Sequence, residues 1–209
     1  MLISDAQKVL FVHVPKTGGV SVEETVKEAC PDARKASKKI GRHATLGKIL
    51  RTEPQAIDYW TFGFVRNPWA RMVSWYSMIS AWDRRHGPSS GRPPGDRMRG
   101  NDMWRAAAAY SGFEEFVLRG TEELPRVGAP QITYLRAPKF DREVDFIGRT
   151  ENFVEDLQRV QVKLGLEPST PAHKNKSKHG TYHDYYTDET RQRIAEVYAE
   201  DIELFGYTY

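Results

Sequence analysis

Twice along the chain an unbroken apolar run gives way, across a short loop, to apolar residues at helical spacing. The first run, Lys8-Val9-Leu10-Phe11-Val12-His13-Val14, is short and β-branched, the pattern of a buried strand. It leads into Pro15-Lys16-Thr17-Gly18-Gly19-Val20-Ser21, after which Val22, Val26 and Ala29 recur at helical spacing until Pro31. The second run, Tyr59-Trp60-Thr61-Phe62-Gly63-Phe64-Val65, is followed by Arg66, by Asn67 as a helix cap and by Pro68 at a first helical position. The helix predicted there carries Trp69, Met72, Val73, Tyr76 and Ile79 on its apolar side. Repeated strand-loop-helix units imply parallel strands joined by right-handed crossovers, hence an α/β fold.

Between Asp83 and Arg105 periodicity gives way to Gly, Pro, Ser and Arg, which predicts a long mobile loop. Beyond it, Ser111 and Glu114 read as a capping box before a helix stopped by Gly120. Val144–Gly148 reads as a third strand. Asn152 and Glu155 read as a second capping box, opening a helix that ends at Gly165, and one last helix starts after Thr187. With neither an internal repeat nor a second core, residues 1–209 are expected to form a single domain.

Composition narrows the classes. Charged residues make up 28% of the chain, so it reads as a soluble globular protein rather than a disordered one. Lysine and arginine number 31 against 28 aspartates and glutamates, a surplus too small to point to nucleic acid. One cysteine, Cys30, leaves no intramolecular disulfide and no cysteine-based zinc site. No run reaches membrane-spanning length, and the residues before the first strand leave no room for a signal peptide. A reducing, cytoplasmic setting is the expectation. Basic residues gather at Pro31–Arg51, and again at Lys174, Lys176 and Lys178 among His173, His179 and His183. Either cluster is ordinarily solvated surface, but beside a nucleotide site it would attract an anion.

The first loop carries the sharper chemistry. A strand that delivers Gly18-Gly19 to a helix N-terminus aims backbone N–H groups at whatever sits above it, and the helix dipole favours an anion there. Lys16 adds a point charge, Thr17 and Ser21 hydroxyls. Because the lysine precedes the glycines, the triphosphatase order GxxxxGK[ST] is not met, and an ordinary tight turn is the plain alternative. In the second loop, Arg66 stands at a strand's C-terminal end, where open α/β sheets bind ligands. Ser74 follows Asn67 by two helical turns, on the same face, so guanidinium and hydroxyl could hold a second phosphate. Alone, Ser74 would more ordinarily bond back to its own helix.

Taken together, these segments resemble a known family. Phe11–Ser21 is similar to the 5′-phosphosulfate loop of sulfotransferases that use 3′-phosphoadenosine-5′-phosphosulfate (PAPS), and Phe64–Tyr76 resembles their 3′-phosphate motif. The likeness continues through Gly41-Arg42-His43-Ala44-Thr45, Asp145–Asn152, Asn175–Lys178 and Asp201–Tyr207. It is nearest to the heparan and chondroitin sulfate O-sulfotransferase branch and its bacterial relatives. The resemblance implies a P-loop-like three-layer sandwich with a central parallel sheet flanked by helices. It implies that Lys16 contacts the oxygen bridging phosphorus and sulfur. Thr17, Gly18, Gly19, Val20 and Ser21 would bind the 5′-phosphosulfate, and Arg66 and Ser74 the 3′-phosphate. More loosely, it implies that Ser177, Lys178 and Tyr182 belong to a late loop closing over the nucleotide. The product would be adenosine 3′,5′-bisphosphate (PAP), and no metal is called for.

Sulfuryl transfer needs a cation at the departing bridge oxygen and a base for the acceptor proton. The His-Ala-Thr context of His43 resembles the family's histidine base. His13, His173, His179, His183, Glu23 and Glu24 are the other candidates, His13 reading rather as a core residue. The acceptor is expected to bear a hydroxyl, on a carbohydrate or on another small or lipid-linked molecule, and Trp75, Trp82 and Trp104 are candidates to stack on it, Trp75 being better placed as core. A nucleotide kinase or NTPase, which would need a Walker-B aspartate that is not evident, and a non-catalytic nucleotide-binding protein are the alternatives.

Overall fold

The computed structural model describes residues 1–36, 40–87, 89, 102–170 and 181–209. In chain order the elements are β1 (Leu2–Ser4), β2 (Val9–Val12), α1 (Gly19–Ala29), α2 (Leu46–Thr52), β3 (Trp60–Val65), α3 (Pro68–His86), α4 (Asp102–Ala108), α5 (Phe113–Leu118), α6 (Gly120–Glu123), α7 (Pro125–Gly128) and α8 (Ile132–Leu135). Then come β4 (Arg136–Ala137), β5 (Arg142–Glu143), β6 (Phe146–Arg149), α9 (Phe153–Lys163), α10 (Asp188–Val197) and α11 (Ala199–Phe205). The chain forms two compact units, Met1–Arg66 with Gln131–Lys176, and Asn67–Pro130 with Ser177–Tyr209.

The first unit holds the sheet, in the order β1-β2-β3-β6. β3 lies between β2 and β6, parallel to both, so the expected parallel core is present. β1 adds an antiparallel edge. No expectation covered β1: it is three residues long and joins β2 through a turn in which Lys8 takes a positive φ of 52°. One face of the sheet packs Phe11, Phe62 and Phe64 against Val22 and Val26 of α1 and Leu157 and Val160 of α9. At Gly63 a Cβ would lie 2.4 Å from Cδ2 of Leu135 in α8, so glycine there admits a second layer close to β3. Mixed α/β architecture with helices around a parallel-containing sheet is thus the observed fold.

Helix ends differ from the sequence pattern in instructive ways. Asn152 makes no side-chain cap, because Thr150–Asn152 forms a 3-10 turn and the Asp156 carboxylate accepts the Arg149 N–H instead, at 2.7 Å. The helix does stop where expected: α9 ends at Lys163, and Gly165 adopts a φ of 77°.

In the second unit, Asn67 caps α3 as expected, its Oδ1 accepting the N–H groups of Trp69 at 3.0 Å and Ala70 at 3.3 Å, with Pro68 in the first turn. Trp69, Met72, Val73, Trp75 and Ile79 are buried, and Tyr76 is half-buried. α3 runs to His86 and α4 begins at Asp102, so the loop expected over 83–105 is helical at both described ends; residues 88 and 90–101 lie outside the described residues. Ser111 and Glu114 do not form a capping box: Gly112 is the N-cap of α5, and Ser111 donates twice to Glu115. Gly120 opens α6 rather than stopping a long helix. The single last helix is divided at Tyr198, a residue 1% exposed whose hydroxyl donates to the Val127 carbonyl. Burying that ring and pairing its hydroxyl outweighs helical continuity.

Candidate active site

In the first unit, β2 and β3 run parallel with Val12 opposite Gly63, so the loop after β2 and the turn after β3 leave the same end of the sheet. That is the end at which α/β sheets bind ligands. The loop after β2 is bent by positive φ at Lys16 (72°) and Gly18 (73°), and Gly18 sits as the N-cap of α1 without a side-chain cap. The Ser21 N–H at the first turn of α1 donates to the Gly18 carbonyl at 3.1 Å, and no capping side chain covers the Gly19 and Val20 amides, which a helix N-terminus can offer to an anion. The bend demands a glycine at Gly18, and neighbours demand one at both positions. A Cβ at Gly18 would meet the Phe153 ring at 2.9 Å, and one at Gly19 would fall 2.1 Å from Nε2 of His13.

Lys16 is a non-glycine residue in a left-handed conformation, a local strain of the kind found at functional sites. Burial, and after it the positive charge of Arg66, push its ammonium down to about 8. Cations from adjacent strand ends thus act on each other. Thr17 is fully buried and its hydroxyl donates to the Val14 carbonyl at 2.9 Å, so that hydroxyl is spent inside the loop. Gly18 and Val20 are exposed and Ser21 is half-buried.

His43 is brought to this loop. Its Nδ1 lies 3.0 Å from the carbonyl oxygen of His13, and the two imidazoles meet edge to face with centroids 4.5 Å apart. A carbonyl can only accept, so Nδ1 of His43 carries the hydrogen and Nε2 of the neutral ring carries the lone pair. His13 itself is 4% exposed and pairs through Nδ1 with Glu23 at 3.0 Å. Burial, opposed by the hydrogen bond to Glu23, pushes its imidazole down to about 4. Glu23 also accepts both arms of Arg42, at 3.0 and 2.6 Å. Burial disfavours its charge, but the bonds from His13 and Arg42 prevail and hold its carboxyl far below the usual range. Of the other bases considered, His13 and Glu23 are thereby engaged with each other, and Glu24 is exposed.

Arg66 ends the first unit. Its N–H donates to Oε1 of Gln131 at 2.9 Å and its carbonyl accepts from Nε2 of Gln131 at 2.8 Å. No sequence signal marked Gln131, which lies 65 residues away along the chain and in no motif. The basic stretch Pro31–Arg51 is less of an anion patch than its composition suggested. Arg34 is tied to Asp5 and Glu53 and Arg42 to Glu23, whereas Lys35, Lys48 and Arg51 are exposed. Lys38 and Lys39 lie outside the described residues.

In the second unit, Ser74 is half-buried on α3, and among the described residues no back-bond joins its hydroxyl to the helix. Tyr182 lies in a 3-10 turn, stacked on His183 with centroids 4.0 Å apart and edge-on to Tyr209. The Thr181 hydroxyl lies 2.7 Å from Nδ1 of His183. Ser177, Lys178, His173 and His179 lie outside the described residues. Trp75 is buried, while Trp82 and Trp104 meet edge to face at 5.0 Å, each half-buried. No cluster of His, Cys, Asp and Glu among the described residues could hold a metal ion, and no helix among them is long and apolar enough to cross a membrane.

No curated protein matches the sequence. Nine solved chains match in structure. One is mouse sulfotransferase SULT7A1 complexed with PAP, similar over 96% of this chain and 85% of that one, with a TM-score of 0.52 and 17% identity. The family model described as "Sulfotransferase family" matches residues 1–208. With a strand-end loop and helix N-terminus suited to an anion, and a match that runs along nearly the whole sequence, the chain belongs to the sulfotransferase family.

Proposed function

We propose that this sulfotransferase uses PAPS as donor and transfers its sulfuryl group in line to a hydroxyl, with Lys16 and His43 as the catalytic pair. The observation that carries the proposal is the convergence of Lys16 and Arg66 at neighbouring parallel strand ends, close enough for Arg66 to depress the Lys16 ammonium. An anion above the sheet end relieves that repulsion and restores the charge on Lys16.

PAPS would supply an activated sulfuryl group on a phosphate leaving group. Lys16 would sit at the bridge oxygen, neutralising charge as the sulfur–oxygen bond breaks. The Gly18, Gly19 and Val20 amides and the Ser21 hydroxyl would hold the 5′-phosphosulfate, and Thr17 is assigned to it by resemblance alone. Arg66 and Ser74 are assigned to the 3′-phosphate by the resemblance of Phe64–Tyr76 to the family's motif, and the strand-end position of Arg66 supports an anion there. His43 would take the acceptor's proton at Nε2, the nitrogen left unprotonated by the hydrogen bond to His13. Its Nδ1–H bond keeps the ring oriented while it charges. Ser177, Lys178 and Tyr182 are assigned to the loop over the nucleotide by resemblance alone.

For the acceptor we favour a carbohydrate hydroxyl, following the likeness to the heparan and chondroitin branch, with a small or lipid-linked alcohol as the other hydroxyl class. We place the reaction in reducing, cytoplasmic surroundings, consistent with a lone, buried cysteine. The test is transfer from radiolabelled PAPS to a panel of glycans and simple alcohols. We expect label on a hydroxyl acceptor with the wild-type chain. We expect none with His43→Ala, while PAP binding stays nearly intact. Substantial turnover by His43→Ala would remove that residue from the role, and magnesium-dependent ATP turnover without PAPS use would replace the proposal with a kinase.

A further inference from the structure

The parallel ladder between β3 and β6 ends at the pair Val65–Arg149, and β2 has already left β3 at Gly63. Arg66 is therefore the first residue past the ladders, and a side chain meets both its main-chain N–H and its C=O. The Gln131 side chain takes both. Its Oε1 accepts the N–H at 2.9 Å and its Nε2 donates to the carbonyl at 2.8 Å, the exchange of bonds that an extra strand residue would make. Gln131 is completely buried, so its amide gains these bonds in a medium where neither half could be left unpaired cheaply.

Gln131 is itself held in place from the residues that follow it. It precedes α8, its carbonyl accepts the Tyr134 N–H at 3.0 Å, and Leu135 lies over Gly63 of the same strand. Segment 131–135 thus grips β3 at Gly63 by packing and at Arg66 by hydrogen bonds. The carboxamide of Gln131 offers donor and acceptor together to one residue's backbone.

We propose that Gln131 is a positioning residue for Arg66, and that its clamp sets the discrimination between nucleotides with and without a 3′-phosphate. This rests on the assignment of the 3′-phosphate to Arg66. A guanidinium several bonds from its backbone gives selectivity only if its Cα–Cβ direction is fixed before the ligand arrives. Gln131 supplies that fixity without touching the ligand.

The experiment is calorimetric titration of the full chain with PAP and with AMP, for wild type, Arg66→Ala and Gln131→Met. Methionine keeps the length and volume of glutamine and removes both hydrogen bonds. We expect Gln131→Met to bind PAP about tenfold more weakly, with AMP affinity unchanged, so that its PAP-to-AMP ratio moves toward that of Arg66→Ala. A merely structural role would weaken both ligands alike, and that result, or an unchanged ratio, would overturn the inference alone. Should Gln131→Met not fold, Gln131→Asn, whose buried amide falls one methylene short of Arg66, carries the same comparison. A wild-type chain that binds PAP and AMP equally would overturn the Arg66 assignment and the inference with it.

Discussion

The turns at the ends of β2 and β3 answer the same topological problem by different means. After β2 the backbone is bent through positive φ at Lys16 and Gly18, the glycines leave room for His13 and Phe153, and the amides of α1 are left without a side-chain cap. After β3 no residue takes a positive φ; Asn67 caps α3, and a distant glutamine satisfies the backbone of Arg66. The first turn is a backbone site whose strain is local. The second is a side-chain site whose order is borrowed from elsewhere in the chain. Substitutions should therefore act within the motif in the first case, and both within and outside it in the second.

The largest effect is expected at Lys16. In the role proposed for Lys16, Lys16→Gly removes the cation at the leaving group and should lower kcat by about 10²–10³-fold. It also relieves a left-handed φ and a buried charge, so thermal unfolding should show a stability equal to or above that of wild type. A variant that loses activity by unfolding would contradict this division. Next is Gly19→Ala, whose new methyl meets His13; denaturant unfolding should show a loss of about 1–3 kcal/mol. Arg66→Ala should cost PAP about 10–100-fold in affinity and AMP little, leaving stability nearly unchanged.

Much of this comparison was legible in the sequence. The apolar runs of β2 and β3, the glycine pair and the Asn67-Pro68 cap are local signals, and each marked its element. What escaped depends on partners far along the chain. β1 is too short to show periodicity, Gln131 bonds to a residue 65 positions away, and Arg34 and Arg42 read as free surface charge until Asp5, Glu53 and Glu23 were brought to them. The capping boxes at Ser111 and Asn152 failed because Glu115 and Asp156 bond to the Ser111 and Arg149 amides instead.

Smaller effects sharpen the contrast further. Asn67→Ala removes the cap of α3 and should cost about 1 kcal/mol in denaturant unfolding, with little change in the first turn's anion affinity. The first turn should instead show a pH signature. Lys16 is charged below about 8 and loses its proton as pH rises through that value, so PAP affinity should hold from pH 6 to 8 and then decline by up to about tenfold per unit. Lys16→Gly should abolish that decline.

At the centre lies the claim that the ends of β2 and β3 hold two phosphates of one nucleotide. Isothermal titration of the wild-type chain with PAP and AMP at one ionic strength tests it directly. PAP should bind tighter by at least about tenfold, a margin that shrinks in Arg66→Ala. Equal affinities for the two nucleotides would contradict it.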